Sequence, residues 1–156
     1  MKQENYIAEP GLENLHPVRI DAKALDIIEK HGVEEYPYEC CGFLYGAEGN
    51  VRVIREAKPV LNKVNENRKR RFEISPKDYL LAERYAIEHG LTLLGVYHSH
   101  PDHPAIPSIH DFRQAVPFFS YIIISVSENE VKDLRSWQLY EGHFIEEKVN
   151  PVTIKY

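Results

Sequence analysis

The segment Gly95-Val96-Tyr97-His98-Ser99-His100-Pro101, followed by Ser108-Ile109-His110-Asp111, decides the interpretation of this chain. An apolar run from Leu91 to Val96 leads directly into it and predicts a buried strand that ends at the histidines. Because alternate residues of a strand point to the same side, His98 and His100 can face one common point.

A carboxylate can join the two imidazoles at that point. Ser108 is a candidate helix N-cap, and Asp111 then falls in the first turn of that helix. Two neutral imidazoles and one carboxylate form a three-ligand site of the catalytic zinc type, with the fourth position left for water. The alternative is a surface His-x-His beside an ordinary capping box, since Ser-x-x-Asp is also a helix-start signature. The histidine pair alone does not decide between the two; the whole string favours the metal site.

This string resembles the signature of the JAMM (MPN-plus) metallopeptidases. His98-x-His100, seven residues, Ser108, two further residues and Asp111 match that signature in every fixed position. The likeness extends from Val18 to Tyr140, which is most of the chain. It implies an α/β protein with three α/β/α layers and a mixed central sheet, related to the cytidine deaminase-like fold.

The resembling family also needs a glutamate on another strand. The stretch from Pro37 to Gly46 resembles that strand, with Glu39 in the acid position. Periodicity alone does not choose Glu39 over Glu34 or Glu35, so this assignment depends on the resemblance.

The resemblance implies a role for each of these positions. It implies that His98, His100 and Asp111 hold one Zn²⁺ per chain, with a bound water. It implies that Glu39 moves a proton from that water to the departing amine, and that Ser108 donates a hydrogen bond to the oxyanion.

The composition excludes some classes of function. A chain of 156 residues fits one domain, and 43% hydrophobic with 28% charged residues is ordinary for a globular protein. A formal net charge of −5 argues against a general nucleic-acid binder, whose surface is basic. No apolar run approaches the ~18 residues of a membrane span.

The N-terminal residues are polar and lack the apolar core of a secretory signal. We expect residues 1–13 to be a flexible tail and residues 14–156 to form a single domain. The expected location is the cytoplasm.

The two cysteines, Cys40 and Cys41, are adjacent, so on a strand their side chains turn to opposite faces. This arrangement predicts that they fill space in a buried strand as small apolar residues, and it disfavours a zinc ion held by both thiols.

Strand and helix patterns alternate along the chain and predict a sheet covered by helices on both faces. The segments 91–97 and 118–126 are apolar on both faces, as a covered central sheet requires. Gly32 is expected to end the first helix. Strands are predicted at 17–20, 41–45, 51–60, 72–74, 91–97, 118–126, 131–140 and 143–149, and helices at 22–31, 76–89 and 108–115.

A basic run over residues 62–71 has two interpretations: a solvated loop that leads into an edge strand, or a partner-binding segment. The compact chain resembles the small stand-alone bacterial members of the family. That resemblance implies a ubiquitin-fold, sulfur-carrier-like protein or its conjugate as substrate, cut after a C-terminal Gly-Gly. We expect the segment from Arg70 to Ile74 to offer an edge to the tail, with Arg70, Arg71 and Phe72 as substrate contacts. The choice between peptide and isopeptide bonds, the oligomeric state and the need for an activating partner stay open.

Three other functions compete with the peptidase. A non-catalytic scaffold of the same fold is disfavoured because all five chemically required residues are present. A zinc hydrolase that acts on another small amide remains an alternative. A nucleobase-type zinc deaminase needs a His-x-Glu and a Pro-Cys-x-x-Cys pair, and the sequence contains neither.

Overall fold

A seven-stranded mixed sheet forms the centre of the protein in a computed structural model, which describes residues 6–8 and 16–150. The elements in chain order are β1 (Val18–Ile20), α1 (Ala22–Glu35), β2 (Cys41–Ala47), β3 (Arg52–Val60), α2 (Pro76–Glu88), β4 (Thr92–Pro101), α3 (Ile109–Gln114), β5 (Ser120–Ser127), β6 (Glu130–Tyr140) and β7 (His143–Glu147). The strands lie in the order β1-β3-β2-β4-β5-β6-β7. The pairs β1/β3 and β4/β5 are parallel, and the other neighbours are antiparallel.

Helices cover both faces of this sheet, which confirms the predicted three-layer α/β/α fold. Leu25 and Ile28 of α1 belong to the buried cluster on one face. Ala82 and Ala86 of α2, with Phe112 of α3 at the margin, belong to the cluster on the other face. The central strands β4 and β5 are buried along almost their whole length because both of their faces carry apolar side chains against helices.

The sheet curls until its two ends meet. Val18 of β1 pairs in parallel with Val149, which follows β7. The Val18 N–H donates to Lys148 O over 2.8 Å, and the Asn150 N–H donates to Val18 O over 2.9 Å. The free edge of β1 is therefore occupied by the chain itself.

Three residues of the expected N-terminal tail are packed. Tyr6 is buried and its hydroxyl donates to Pro107 O over 3.2 Å. Ile7 bridges to Phe144 of β7, and the Ala8 N–H donates to the Phe144 carbonyl over 2.8 Å. At residues 6–8 the structure thus differs from a flexible tail, because an aromatic ring there finds a buried site. The remainder of the predicted tail, and the end of the predicted domain from residue 151, lie outside the described residues.

Two sequence predictions about local structure are wrong. Helix α1 does not end at Gly32 but continues to Glu35. Gly32 faces the sheet, where a Cβ atom would overlap the Ile124 side chain, so this glycine permits close packing instead of ending the helix. Residues 72–74 belong to no strand. Their segment is held by Asn62, whose side chain accepts from the Glu73 N–H and donates to Arg71 O.

The cysteines behave as predicted. Cys40 lies in the cluster on the α1 face, and Cys41 lies in the cluster on the other face. Both thiols are free and buried. No helix in the described part of the chain is long and apolar enough to cross a membrane, and the cytoplasmic location stays a prediction.

Gly95 should be essential for the pairing of β4 with β5. A Cβ atom at Gly95 would overlap the backbone carbonyl of Ser120, which cannot move without breaking the parallel ladder. We expect Gly95→Ala to lower the free energy of unfolding by about 3 kcal/mol. Gly49→Ala is the matched control, because its Cβ would meet the nearest atom at an ordinary 3.4 Å. Urea unfolding of both variants tests this, and equal midpoints would contradict it.

Candidate metal centre

Three side-chain donor atoms meet at the end of β4. His98 Nε2 lies 3.2 Å from His100 Nε2, and Asp111 Oδ2 lies 3.2 Å from the first and 3.1 Å from the second. All three side chains are buried. Zinc bonds of roughly 2.0–2.1 Å in a tetrahedron space neighbouring donors about 3.3 Å apart. The triangle therefore has the dimensions of one face of a zinc coordination tetrahedron.

Local geometry brings these donors together. His98 and His100 alternate on β4, while Ser99 between them points to the other face, where its Oγ accepts from the Cys40 N–H over 2.9 Å. Ser108 caps α3: its Oγ accepts from the Asp111 N–H over 3.0 Å, and its own N–H donates to Asp111 Oδ2 over 2.9 Å. The capping box expected as the alternative to the metal site is thus present, and it aims the carboxylate at the imidazoles.

The loop after β4 determines the tautomer of His100. Its Nδ1 lies 2.7 Å from Pro104 O. A carbonyl oxygen only accepts, so Nδ1 carries a proton, and in the neutral ring Nε2 presents its lone pair to Asp111. In that form the Nε2 lone pair and Asp111 Oδ2, 3.1 Å apart, face each other as two acceptors, an arrangement that a proton or a metal cation between them makes favourable.

Burial and neighbouring charge shift the pKa values of the other two donors. Burial lowers the pKa of His98, which leaves its imidazole neutral. Burial alone would raise the pKa of Asp111, but the positive charge of His98 and His100 in their protonated forms, and hydrogen bonds from both, hold that pKa well below its ordinary value. Two neutral imidazoles and an ionised carboxylate are the forms that bind zinc, so the donor set fits this metal. Burial also raises the pKa of the nearby Cys40 thiol to about 12, which disfavours a thiolate ligand.

Glu39 lies beside the triangle. One carboxylate oxygen of Glu39 and the nearest ring nitrogens of His98 and His100 all lie within 4.8 Å of one another. Glu39 is only 3% exposed, and its Oε1 atom has no hydrogen-bond partner among the described residues. Burial, with the charge of Asp111, raises its pKa to about 10, and Arg70 opposes that shift. An unpartnered buried carboxyl of this kind is costly to the fold and typical of a functional group.

The pairing of β2 with β4 explains why Glu39, and not Glu34 or Glu35, is near the imidazoles. Cys41 lies opposite His98 in the antiparallel register, which brings the residues before β2 to the end of β4. The Glu39 N–H donates to Arg68 O over 2.7 Å. Glu34 and Glu35 end α1, and neither belongs to the donor cluster found among the described residues.

The three predicted substrate contacts have different surroundings. Phe72 is only 2% exposed, and its ring stacks on His98 with 4.4 Å between centroids. It therefore supports a histidine instead of facing solvent. Arg70 and Arg71 are exposed and line a cavity of about 620 Å³ that Ser108 also lines. Their role as substrate contacts stays a prediction.

Two features near the site escaped the sequence analysis. The ring of His103 stacks on His100 with 4.2 Å between centroids. Asn62 holds the whole loop that carries the arginines, and its Oδ1 also accepts from the Val64 N–H over 3.0 Å. An asparagine before a polar run is a known turn former, so this second feature had a signal in the sequence.

Comparison with known proteins identifies relatives over most of the chain. A family model described as prokaryotic homologs of the JAB domain matches residues 21–140, a range that includes all five predicted site positions. The chain is similar to the desampylase of Pyrococcus furiosus, with 33% identity over 109 residues that cover 70% of this chain and 72% of that protein. It is similar to the CysO-cysteine peptidase of Mycobacterium tuberculosis, with 29% identity over 134 residues that cover 85% of this chain and 90% of that protein. A solution structure from Desulfitobacterium hafniense matches with a TM-score of 0.74 and 28% identity, covering 85% of this chain and 91% of that one.

The burial of Glu39 predicts a pH-dependent stability of the metal-free protein. The folded-state pKa is about 10 and the ordinary value is 4.5, so stability is present at low pH and is lost as pH rises between these two values. Glu39→Gln removes this loss of stability at high pH, because glutamine does not ionise. In chelator-treated protein, its free energy of unfolding should rise relative to wild type by up to about 1.4 kcal/mol per pH unit near neutrality. Urea unfolding across that range tests this, with the exposed Glu73→Gln as control; parallel pH profiles for Glu39→Gln and wild type would contradict it.

Proposed function

This chain belongs to the family of prokaryotic homologs of the JAB domain, and we propose that it is a zinc-dependent peptidase or isopeptidase. The proposed substrate is a ubiquitin-fold, sulfur-carrier-like protein or its conjugate, hydrolysed after a C-terminal Gly-Gly. The observation that carries the proposal is the triangle of His98, His100 and Asp111 donors, 3.1–3.2 Å apart, beside a buried Glu39 whose Oε1 has no hydrogen-bond partner among the described residues. The peptidases among the relatives support the same reaction class.

The metal has a defined part in this proposal. Bound by His98, His100 and Asp111, zinc would act as a Lewis acid that activates water at neutral pH, and its charge would lower the pKa of Glu39. The ionised Glu39 carboxylate takes a proton as the water oxygen bonds to the amide carbon. It returns that proton to the nitrogen as the C–N bond breaks, so a carboxylate and an amine are released. General acid–base help of this kind contributes roughly 10²–10⁴-fold in rate.

Ser108 has a free proton for the developing oxyanion. Its Oγ accepts a hydrogen bond from the Asp111 N–H, and a hydroxyl that accepts still has its own O–H to donate. The loss of one oxyanion donor costs roughly 10²–10³-fold in rate. Helix capping and oxyanion stabilisation are therefore compatible roles for one residue.

Glycine at the scissile position has a physical basis. The buried donors lie at the end of a strand, and only a residue without a side chain lets the substrate backbone approach so closely. The mycobacterial relative is named for a CysO–cysteine substrate, which is consistent with a carrier protein as the acyl group.

We expect Glu39→Gln to separate metal binding from chemistry. Its rate should fall by at least about 10²-fold while one zinc per chain is retained, because Glu39 is assigned the proton transfer and not a coordination position. His100→Ala should lose both the bound zinc and the hydrolytic activity. Elemental analysis and an amide-hydrolysis assay measure the two properties. If the wild-type protein contains no zinc and added zinc does not activate it, the proposal is wrong. If it binds zinc but hydrolyses no carrier adduct, the non-catalytic scaffold is favoured.

We expect the carrier tail to require both glycines. Replacement of either glycine by valine should reduce cleavage by more than about 10²-fold, because a branched side chain keeps the backbone from the reacting centre. Valine at the residue before the Gly-Gly is the matched control and should be cut nearly as well as the parent tail. Mass spectrometry of the products measures this, and equal cleavage of all tails would contradict it.

A further inference from the structure

The two histidines of the donor triangle are supported in different ways. His100 Nδ1 lies 2.7 Å from Pro104 O, and a hydrogen bond of this kind is what usually orients a metal-ligating imidazole. His98 also turns its Nε2 towards the triangle, so a neutral His98 that binds zinc carries its ring proton on Nδ1. That Nδ1 atom is buried and has no hydrogen-bond partner among the described residues. The orientation of the His98 ring therefore has to come from packing.

A phenylalanine ring packs against that imidazole. Phe72 is 2% exposed, and its ring stacks on His98 with 4.4 Å between centroids and 27° between the ring planes. The other ring contact of His98 in the described part of the chain is a tilted one with His100, which is itself a donor of the triangle. Aromatic pairs favour particular relative orientations, so the stack with Phe72 limits the rotation of the His98 ring.

Two amide side chains hold Phe72 in place. Asn62 Nδ2 donates to Arg71 O over 3.0 Å, and Asn62 Oδ1 accepts from the Glu73 N–H over 3.0 Å. One side chain thus binds the residues on both sides of Phe72. The carbonyl of Phe72 itself accepts from Gln114 Nε2 over 3.1 Å, and Gln114 is the last residue of α3, the helix that also carries the carboxylate donor. The ring on His98 is therefore tied to the end of β3 and to α3.

We propose that Phe72 is a positioning residue for the metal: its ring, held by Asn62, orients His98 in place of the hydrogen bond that His98 lacks, and so contributes to the zinc affinity. This inference rests on the proposed function, because it concerns the same donor triangle. A residue that only packs would lower the stability of the metal-free fold when shortened. A positioning residue also lowers the zinc affinity of the protein that stays folded, because a misoriented imidazole is a poorer ligand.

Phe72→Leu tests the inference, and Phe43→Leu is the matched control. Phe43 lies in the same buried cluster and is 4% exposed, but its ring packs on Tyr79 of α2 and not on a donor of the triangle. Both substitutions remove the same ring, so both should lower the urea midpoint of chelator-treated protein. Only Phe72→Leu should raise the zinc Kd, by about 3- to 10-fold, as the loss of one aromatic pair predicts. Competition with a chromogenic chelator measures the Kd.

The visible spectrum of Co²⁺-loaded protein gives a second measurement, because it responds to the geometry of the metal ligands. Phe72→Leu should shift the absorption bands, since the His98 ring loses its orientation. Phe43→Leu should keep the spectrum of the parent protein.

A double-mutant cycle tests the part of Asn62. Asn62 is not a donor of the triangle, so Asn62→Ala should raise the zinc Kd by releasing Phe72. The same substitution should therefore change the Kd little once Phe72→Leu is present, and the two effects should not add. If Asn62→Ala does not fold, Asn62→Asp takes its place, because it keeps the two bonds that Oδ1 accepts and loses those that Nδ2 donates.

The results separate this inference from the proposed function, because none of these measurements needs turnover. An unchanged zinc Kd in Phe72→Leu would overturn the inference and leave the peptidase standing. An equal rise of the Kd in Phe72→Leu and Phe43→Leu would also overturn it, because that is the effect of lost stability alone. Additive effects in the cycle would overturn the link between Asn62 and Phe72. The predicted Kd values in a protein that cleaves no carrier adduct would support the inference and contradict the proposed function, and a parent protein that binds no zinc would overturn both.

Discussion

The antiparallel pairing of β2 with β4 is the constraint on which the rest of the site depends. With Cys41 opposite His98, the glutamate that precedes one strand meets the histidines that end the other. The register continues past the strand, since the Ser99 N–H donates to Cys40 O over 3.1 Å and the Cys40 N–H donates to Ser99 Oγ over 2.9 Å. A shift by one residue would turn His98 and His100 to the opposite face.

Close packing keeps that register in place. A Cβ atom at Gly42 of β2 would overlap the ring of Tyr97 on β4, so only glycine is accommodated there. The Tyr97 hydroxyl lies 2.7 Å from His31 Nδ1 of α1, which ties the layer on this face to the central strand. Because these contacts are buried, the strand that carries the two histidines has a rigid support.

The site itself works against stability. Glu39, His98, His100 and Asp111 are all buried, and the polar atoms of these residues have few partners other than one another. In an apolar interior such a group of donors costs free energy until a cation neutralises it. The loop that Asn62 anchors and the loop after β4 surround this centre and carry the arginines and His103. A rigid strand end for chemistry and polar loops for recognition is a common division in enzymes.

The sequence by itself determined most of the order of strands and helices and the three-layer class, because these follow from local periodicity, although the strand predicted at 72–74 is not formed. It also determined the grouping of His98, His100 and Asp111, which follows from spacing within one strand and the turn after it. It also predicted the burial of Cys40 and Cys41 on opposite faces, which needs only strand alternation. The choice of Glu39, the burial of Phe72 against His98 and the packing of Tyr6 were decided by tertiary structure. The same holds for the passage of α1 through Gly32. In each case the deciding partner is distant in the chain, and local periodicity carries no information about which residue a fold brings across from another strand, helix or loop.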